Sequence, residues 1–252
     1  MLDILKNLPE RTKKPRSKGI TMMMDKGLSI NQAKEFISVN SKYTDIVKLG
    51  FGTSIITPEI KKKIKIYKQN NILVYLGGTL FEAFVIRKQL DDYKRFLDHL
   101  GLEMLEVSDG SINIEHEKKC EYINDLSKNF KVVSEVGSKY ENQQDNTKNW
   151  KKWIEEEIKS GSWKVITEAR ESGNIGIFDN NFNIKNKIVD EIIETIDHSH
   201  IIWETPKKSQ QVWFINKLGQ NANLGNISYN DIIPLECLRL GLRSDTFYNF
   251  LK

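Results

Sequence analysis

Short apolar runs recur along the chain, each ending in a polar residue or a glycine pair, with helix-like stretches between them. They are Gly19–Asp25, Thr44–Lys48, Asn71–Gly78, Leu102–Glu106, Phe130–Glu135, Trp163–Glu168, His200–Glu204 and Asn221–Gly225. Runs this short and this apolar read as parallel strands buried on both faces. The stretches between them carry helix signals. Ser29 caps with Gln32 three residues on, and Ile30, Ala33 and Ile37 form a buried stripe. Thr57-Pro58 sets a cap before a first-turn proline, followed by Ile60, Ile64 and Tyr67. Phe81 to Leu100 reads as one long helix or two. Thr147 caps a helix carrying Trp150, Trp153, Ile154 and Ile158, and Ile188, Ile192 and Ile196 recur every four residues. Ser228 with Asp231 opens the last barrel helix, and residues 244–252 read as a short C-terminal helix.

Eight strand–helix units in one domain-sized chain predict a single (β/α)8 barrel over residues 1–252. Residues 1–18 are then an N-terminal extension, crossing the lower end of the barrel as a solvated segment. An open doubly wound sheet fits less well, because no G-x-G-x-x-G follows the first strand. The polar run Tyr140–Asn149 reads as a long loop on the active-site face.

Composition adds mainly exclusions. The 252 residues are the usual length for this fold, and 39% hydrophobic with 29% charged residues is a soluble globular balance. A net charge of +4, with lysines mixed among glutamates, does not indicate a nucleic-acid surface. No apolar stretch approaches membrane-spanning length, and the first residues begin no signal peptide. Cys120 and Cys237 show no metal-ligand spacing and read as thiols of a reducing cytoplasm.

In a (β/α)8 barrel the strand C-termini build the active site, so the chemistry is sought there. Strand alternation puts Glu106 in phase with Met104, Glu135 with Val133, Glu168 with Ile166 and Glu204 with Ile202. Carboxylates crowded at one mouth repel and resist ionisation, so a divalent cation or basic partners must be present. Oxygen donors without His or Cys favour Mg2+ over zinc. The first metal candidates are Glu106, Glu135 and Glu168, with Glu204 as a supporting or fourth ligand. The plainer alternative is structural pairing with Lys48, Lys139 or Arg170.

Lys139, just past the fifth strand, is the candidate proton donor, against an ordinary exposed loop lysine. Arg170 suits a bidentate grip on a carboxylate, phosphate or sulfonate, against an ion pair with a neighbouring glutamate. Gly77–Glu82 after strand three and Asn223–Ile227 after strand eight offer glycine turns for a phosphate. Asn223 and Gly225 are the candidates at the second turn, although tight turns need glycine anyway.

Several segments carry a family resemblance: Lys14–Thr21, Val47–Ser54, Gly77–Glu82, Glu106–Gly110, Ser134–Gly137, Glu168–Gly173, Trp203–Pro206, Asn223–Ile227, Leu235–Arg239 and Gly241–Thr246. In this order they resemble the phosphosulfolactate synthase family, over about residues 11 to 247. The resemblance implies a Mg2+-dependent (β/α)8 enzyme, a homo-oligomer, that adds sulfite to C3 of phosphoenolpyruvate to give (2R)-3-phosphosulfolactate. In that chemistry Lys48, Arg170 and amides near Gly225 offset the charge of the two anions, and Lys139 protonates C2. The product leads to coenzyme M or to other sulfonates. Two alternatives stay open: a non-catalytic relative of the plant heat-stress-associated type, and a lyase or aldolase acting on another phosphorylated carboxylate.

Overall fold

A computed structural model describes residues 4–137, 149–169 and 172–251. Eight parallel strands form the wall of a nearly closed barrel: β1 (Thr21–Asp25), β2 (Ile46–Leu49), β3 (Leu73–Leu76), β4 (Met104–Val107), β5 (Lys131–Val136), β6 (Lys164–Thr167), β7 (Ile201–Glu204) and β8 (Leu224–Ser228). Their order is β3-β2-β1-β8-β7-β6-β5-β4, and β3 lies beside β4 to close the ring outside the hydrogen-bonded ladder. Around it run α1 (Ile30–Asn40), α2 (Thr53–Ile56), α3 (Ile60–Lys68), α4 (Gly78–Val85), α5 (Leu90–Leu100), α6 (His116–Leu126), α7 (Trp150–Lys159), α8 (Asn186–Ile193), α9 (Lys208–Leu218) and α10 (Ile232–Arg239). The predicted (β/α)8 barrel is therefore the observed fold. Among the described residues, no helix is long and apolar enough to cross a membrane.

Alternation along the strands divides the core in two. Outward residues such as Met23, Val47, Leu105 and Val165 pack beneath the helices. Ile20, Met22, Ile46, Tyr75, Met104, Val133, Ile166 and Ile202 fill the barrel itself, so the interior is a packed layer and not a pore.

Most helix signals hold. Ser29 and Gln32 make the reciprocal capping box of α1, and the long stretch from Phe81 divides into α4 and α5. The Thr57-Pro58 start does not hold. The short helix α2 ends just before it, and α3 begins at Ile60 after a left-handed Glu59. The C-terminal helix is a 3-10 turn over Ser244–Asn249. Thr147 and the run from Tyr140 to Lys148 lie outside the described residues.

The extension crosses the lower end as expected, but three of its cations, Arg11, Lys14 and Arg16, are not solvated. Arg11 pairs with Glu236 at 3.0 Å and Arg16 with Asp45 at 2.9 Å, in both cases with little exposure. Lys14 donates to the carbonyls of Ser41 and Thr44. Burial pulls the Lys14 ammonium below its ordinary value, only partly opposed by Asp45. The segment plugs the barrel floor.

Candidate active site

At the upper end five strands carry a charge one inward step above an aliphatic interior side chain. Ile46 is followed by Lys48, Met104 by Glu106, Val133 by Glu135, Ile166 by Glu168 and Ile202 by Glu204. All five charged residues are buried. Lys48, Glu135, Glu168 and Glu204 line a cavity of about 440 Å³ together with Met24, Phe51, Gly77, Gly78, Thr79, Ser172 and Asn226, and Glu106 reaches Lys48.

The Lys48 ammonium sits among the carboxylates, 2.9 Å from Glu106 Oε2, 3.3 Å from Glu135 Oε2 and 3.5 Å from Glu204 Oε1. Burial alone would lower its pKa, but Glu106, Glu135 and Glu204 outweigh that and hold it well above the ordinary lysine value. It is thus a fixed cation and not a proton donor near neutrality. Burial is also the main influence on Glu204. With the repulsion of Glu135 and Glu106 it outweighs the pull of Lys48 and pushes the carboxyl up to about 7. Among the described residues of the cavity wall, Lys48 is the cation that faces these acids.

Glu106 differs from the other three. Its second oxygen accepts the backbone N–H of Gly78 at 2.8 Å, at the start of α4. A Cβ on residue 78 would collide with that oxygen and with Ser108 Oγ, so glycine is required for the approach. Ser108 in turn bonds Glu82, which also accepts from the amide of Ser111 at 3.1 Å. Glu135, Glu168 and Glu204 each offer a carboxylate oxygen, and these oxygens lie within 4.8 Å of one another. In this grouping Glu204, expected as a supporting or fourth ligand, stands with Glu135 and Glu168, and Glu106 meets Lys48 and Gly78 N. An all-oxygen, buried and net negative donor set fits a hard divalent ion.

Strand β8 corrects the phosphate-site expectation. It runs Leu224–Ser228 and not Asn221–Gly225, so Asn223 lies at the floor. Asn223 Oδ1 accepts the amide of Ile20, and its Nδ2 donates to the carbonyls of Ser199 and Ile201. Gly225 is an interior position, where a Cβ would press into Met22 and Ile202. Neither residue is in a phosphate-binding turn. The register of β8 against β1 shifts at this point, and Asn226 has φ +55°. Such a bulge re-aims a side chain. The Asn226 amide donates to Glu204 Oε2 at 3.3 Å, beside the donation from Ala169 N at 3.1 Å.

Lys139 and Arg170, the predicted proton donor and anion clamp, lie outside the described residues. Several contributors carried no motif. Tyr75 lies directly below the charges, its hydroxyl on Met22 Sδ at 2.8 Å, and burial with the charge of Glu106 raises its pKa. Lys119, on α6, donates to the backbone carbonyl of Glu135 at 2.5 Å and pairs with Asp109 and Glu157. It ties the ends of β4 and β5 together. An isolated lysine in a helix gives no sequence signal of that reach.

Comparison with known proteins agrees with this geometry. The family described as (2R)-phospho-3-sulfolactate synthase (ComA) matches residues 9–245. A phosphosulfolactate synthase of Bacillus subtilis (strain 168) is 42% identical over 251 residues, 98% of this chain and 100% of that protein. One from Methanothermobacter thermautotrophicus is 39% identical over 245 residues, 94% of this chain and 95% of that protein. Among solved structures, 3-hexulose-6-phosphate synthase from Salmonella typhimurium superposes with a TM-score of 0.54 over 86% of this chain and 98% of that one. At 12% identity it supports the fold alone.

Proposed function

The chain belongs to the (2R)-phospho-3-sulfolactate synthase family, and from that premise we propose that it adds sulfite to C3 of phosphoenolpyruvate to give (2R)-3-phosphosulfolactate. The observation that carries this reading is the cluster of Glu135, Glu168 and Glu204 around a buried Lys48 in a cavity at the strand C-termini.

Sulfite is itself a good nucleophile, so the site has little to do for the attacking group. When the carbon–sulfur bond forms at C3, the electron pair of the double bond moves through C2 onto the carboxylate. Negative charge grows there and must be met by fixed positive charge. Mg2+ held by Glu135, Glu168 and Glu204 would supply that charge. Lys48, kept protonated by Glu106, adds a cation that does not need to reorient. Gly78 N and Lys48 fix Glu106, and Asn226 with Ala169 N fixes Glu204, so the charges are held before the substrate arrives. Arg170 is assigned to the anionic groups of the substrates, and Lys139 to delivery of the proton to C2. Both assignments rest on chain position, Arg170 just past the end of β6 and Lys139 just past the end of β5.

The decisive assay is turnover by purified protein. Sulfite and phosphoenolpyruvate should disappear in equal amounts, and only with a divalent cation present. Turnover of a phosphorylated carboxylate without sulfite would place the chain with another lyase chemistry. Replacing Lys139 by Met should cut turnover by about 10²-fold or more with phosphoenolpyruvate binding kept. Normal turnover in that variant would remove Lys139 as the acid. A homo-oligomer is also proposed, and sedimentation showing only monomer would remove it.

A further inference from the structure

Phe51 stands out from the other residues of the mouth. It lies between Gly50 and Gly52, has φ +38°, and leaves 42% of its surface exposed. A bulky aromatic residue in the left-handed region is strained. A half-exposed ring also forgoes burial that would stabilise the fold. Asparagine would adopt this backbone more easily, and glycine without strain. Folding alone therefore gives no reason for a phenylalanine here.

The surrounding loop is held from several sides. Gly50 N donates to Asp25 O at 2.8 Å, while Thr53 N and Thr53 Oγ1 both donate to Gly50 O, at 3.1 and 2.8 Å. On the other flank the Gly77 turn packs so closely that a Cβ there would come within 3.0 Å of Phe51 N. The backbone is thus fixed, and Phe51 lines the same cavity as Lys48, Glu135, Glu168 and Glu204. The other charged and polar walls select the charge of a ligand but not its length. Met24, the remaining long apolar side chain of this wall, is unbranched and adaptable, and so sets no firm boundary.

We propose that Phe51 is a specificity-determining residue: its ring, held by a strained and pinned loop, limits the carbon skeleton of the phosphorylated acid that the mouth admits. A three-carbon enol phosphate fits, and a homologue carrying a methyl group on C3 meets the ring. This inference rests on the proposed reading of the site as one for a phosphorylated carboxylate. One methylene against a fitted wall is worth roughly 10- to 200-fold in discrimination.

The test measures binding by calorimetry in saturating magnesium chloride, with phosphoenolpyruvate and its 3-methyl homologue phosphoenolbutyrate. Wild type and Phe51→Tyr should prefer the smaller acid by about tenfold or more. Phe51→Asn keeps the left-handed backbone and removes the ring. It should reduce that preference to a few-fold, with a thermal midpoint at or above that of the wild type. An unchanged preference in Phe51→Asn, or none in the wild type, overturns the proposal. An altered sedimentation rate with an unchanged preference also overturns it and places Phe51 in a contact between copies. Sulfite consumption is measured separately. A wild type that discriminates but consumes no sulfite sinks the proposed reaction and leaves the size limit standing, whereas binding of neither acid sinks both.

Discussion

At the barrel floor each of two buried carboxylates has a cation of its own, Glu236 with Arg11 and Asp45 with Arg16, and Arg239 donates to the carbonyls of Gln220, Ala222 and Ile20. At the mouth Glu106, Glu135 and Glu204 share Lys48, and Glu168 adds a further buried acid. Both ends are built from buried ionisable groups on or beside the same strands. Among the described residues each of these floor carboxylates has its own cation, whereas on the cavity wall the acids outnumber the cation. An arrangement that leaves like charges together loses stability, and it is retained where a ligand supplies the missing charge. On the proposed reading the floor serves the fold, and the mouth holds a cation and an anionic substrate.

The largest expected contrast comes from removing one carboxylate charge at each end. Glu135→Gln should lower turnover by at least about 10²-fold and weaken the response to Mg2+. Because it relieves repulsion, it should not lower the thermal midpoint of the metal-free protein. Asp45→Asn leaves Arg16 without its buried partner and should cost about 3 kcal/mol of stability. Its kcat/KM should stay at the wild-type value. A Glu135→Gln protein that is unstable yet active would break the comparison, as would an Asp45→Asn protein that is stable yet inactive.

Next in size is the pH dependence of the metal-free protein. Glu204 is raised from 4.5 to about 7 in the folded state. Between those values the folded protein keeps a proton that the unfolded chain releases, so stability falls as pH rises through this window. The loss is at most about 3 kcal/mol. Urea unfolding with a chelator should therefore show lower stability at about pH 8 than at about pH 5.5, and Mg2+ should restore it at the higher pH. Equal stability at the two pH values, with no effect of Mg2+, would show that the mouth carries no such penalty.

Most of the wall of the mouth was legible in the sequence because strand alternation is strict. Once Met104, Val133, Ile166 and Ile202 are interior, Glu106, Glu135, Glu168 and Glu204 follow two residues later on the same face. The division of labour among them was not legible. It depends on Gly78 N reaching Glu106 and on where Lys48 Nζ comes to rest, and both are tertiary distances. Strand β8 misled because its sequence, Leu-Gly-Asn-Ile-Ser, lacks the apolar continuity of a buried parallel strand. The bulge that accounts for the polar Asn226 also moves the strand end beyond Gly225. The N-terminal cations looked solvated because their partners, Asp45 and Glu236, are distant in sequence.

The smallest predicted effect is the most local. Asn223 and Asn226 are buried asparagines three residues apart, one just before β8 and one within it, at opposite ends of the barrel. Asn223 joins the amide of Ile20 to the carbonyls of Ser199 and Ile201, so Asn223→Ala leaves buried backbone groups without partners. That should cost about 2 kcal/mol with kcat/KM unchanged. Asn226→Gly keeps the left-handed backbone of the bulge and removes only the amide that holds Glu204. It should lower Mg2+ affinity by about tenfold, the lower end for losing a group that orients a metal ligand, and change stability little. The two variants remove the same functional group from neighbouring positions, so differences in side-chain type cannot account for a difference in outcome. If both lose stability and neither changes Mg2+ affinity, Asn226 belongs with the floor in function, and the bulge has no part in preparing Glu204.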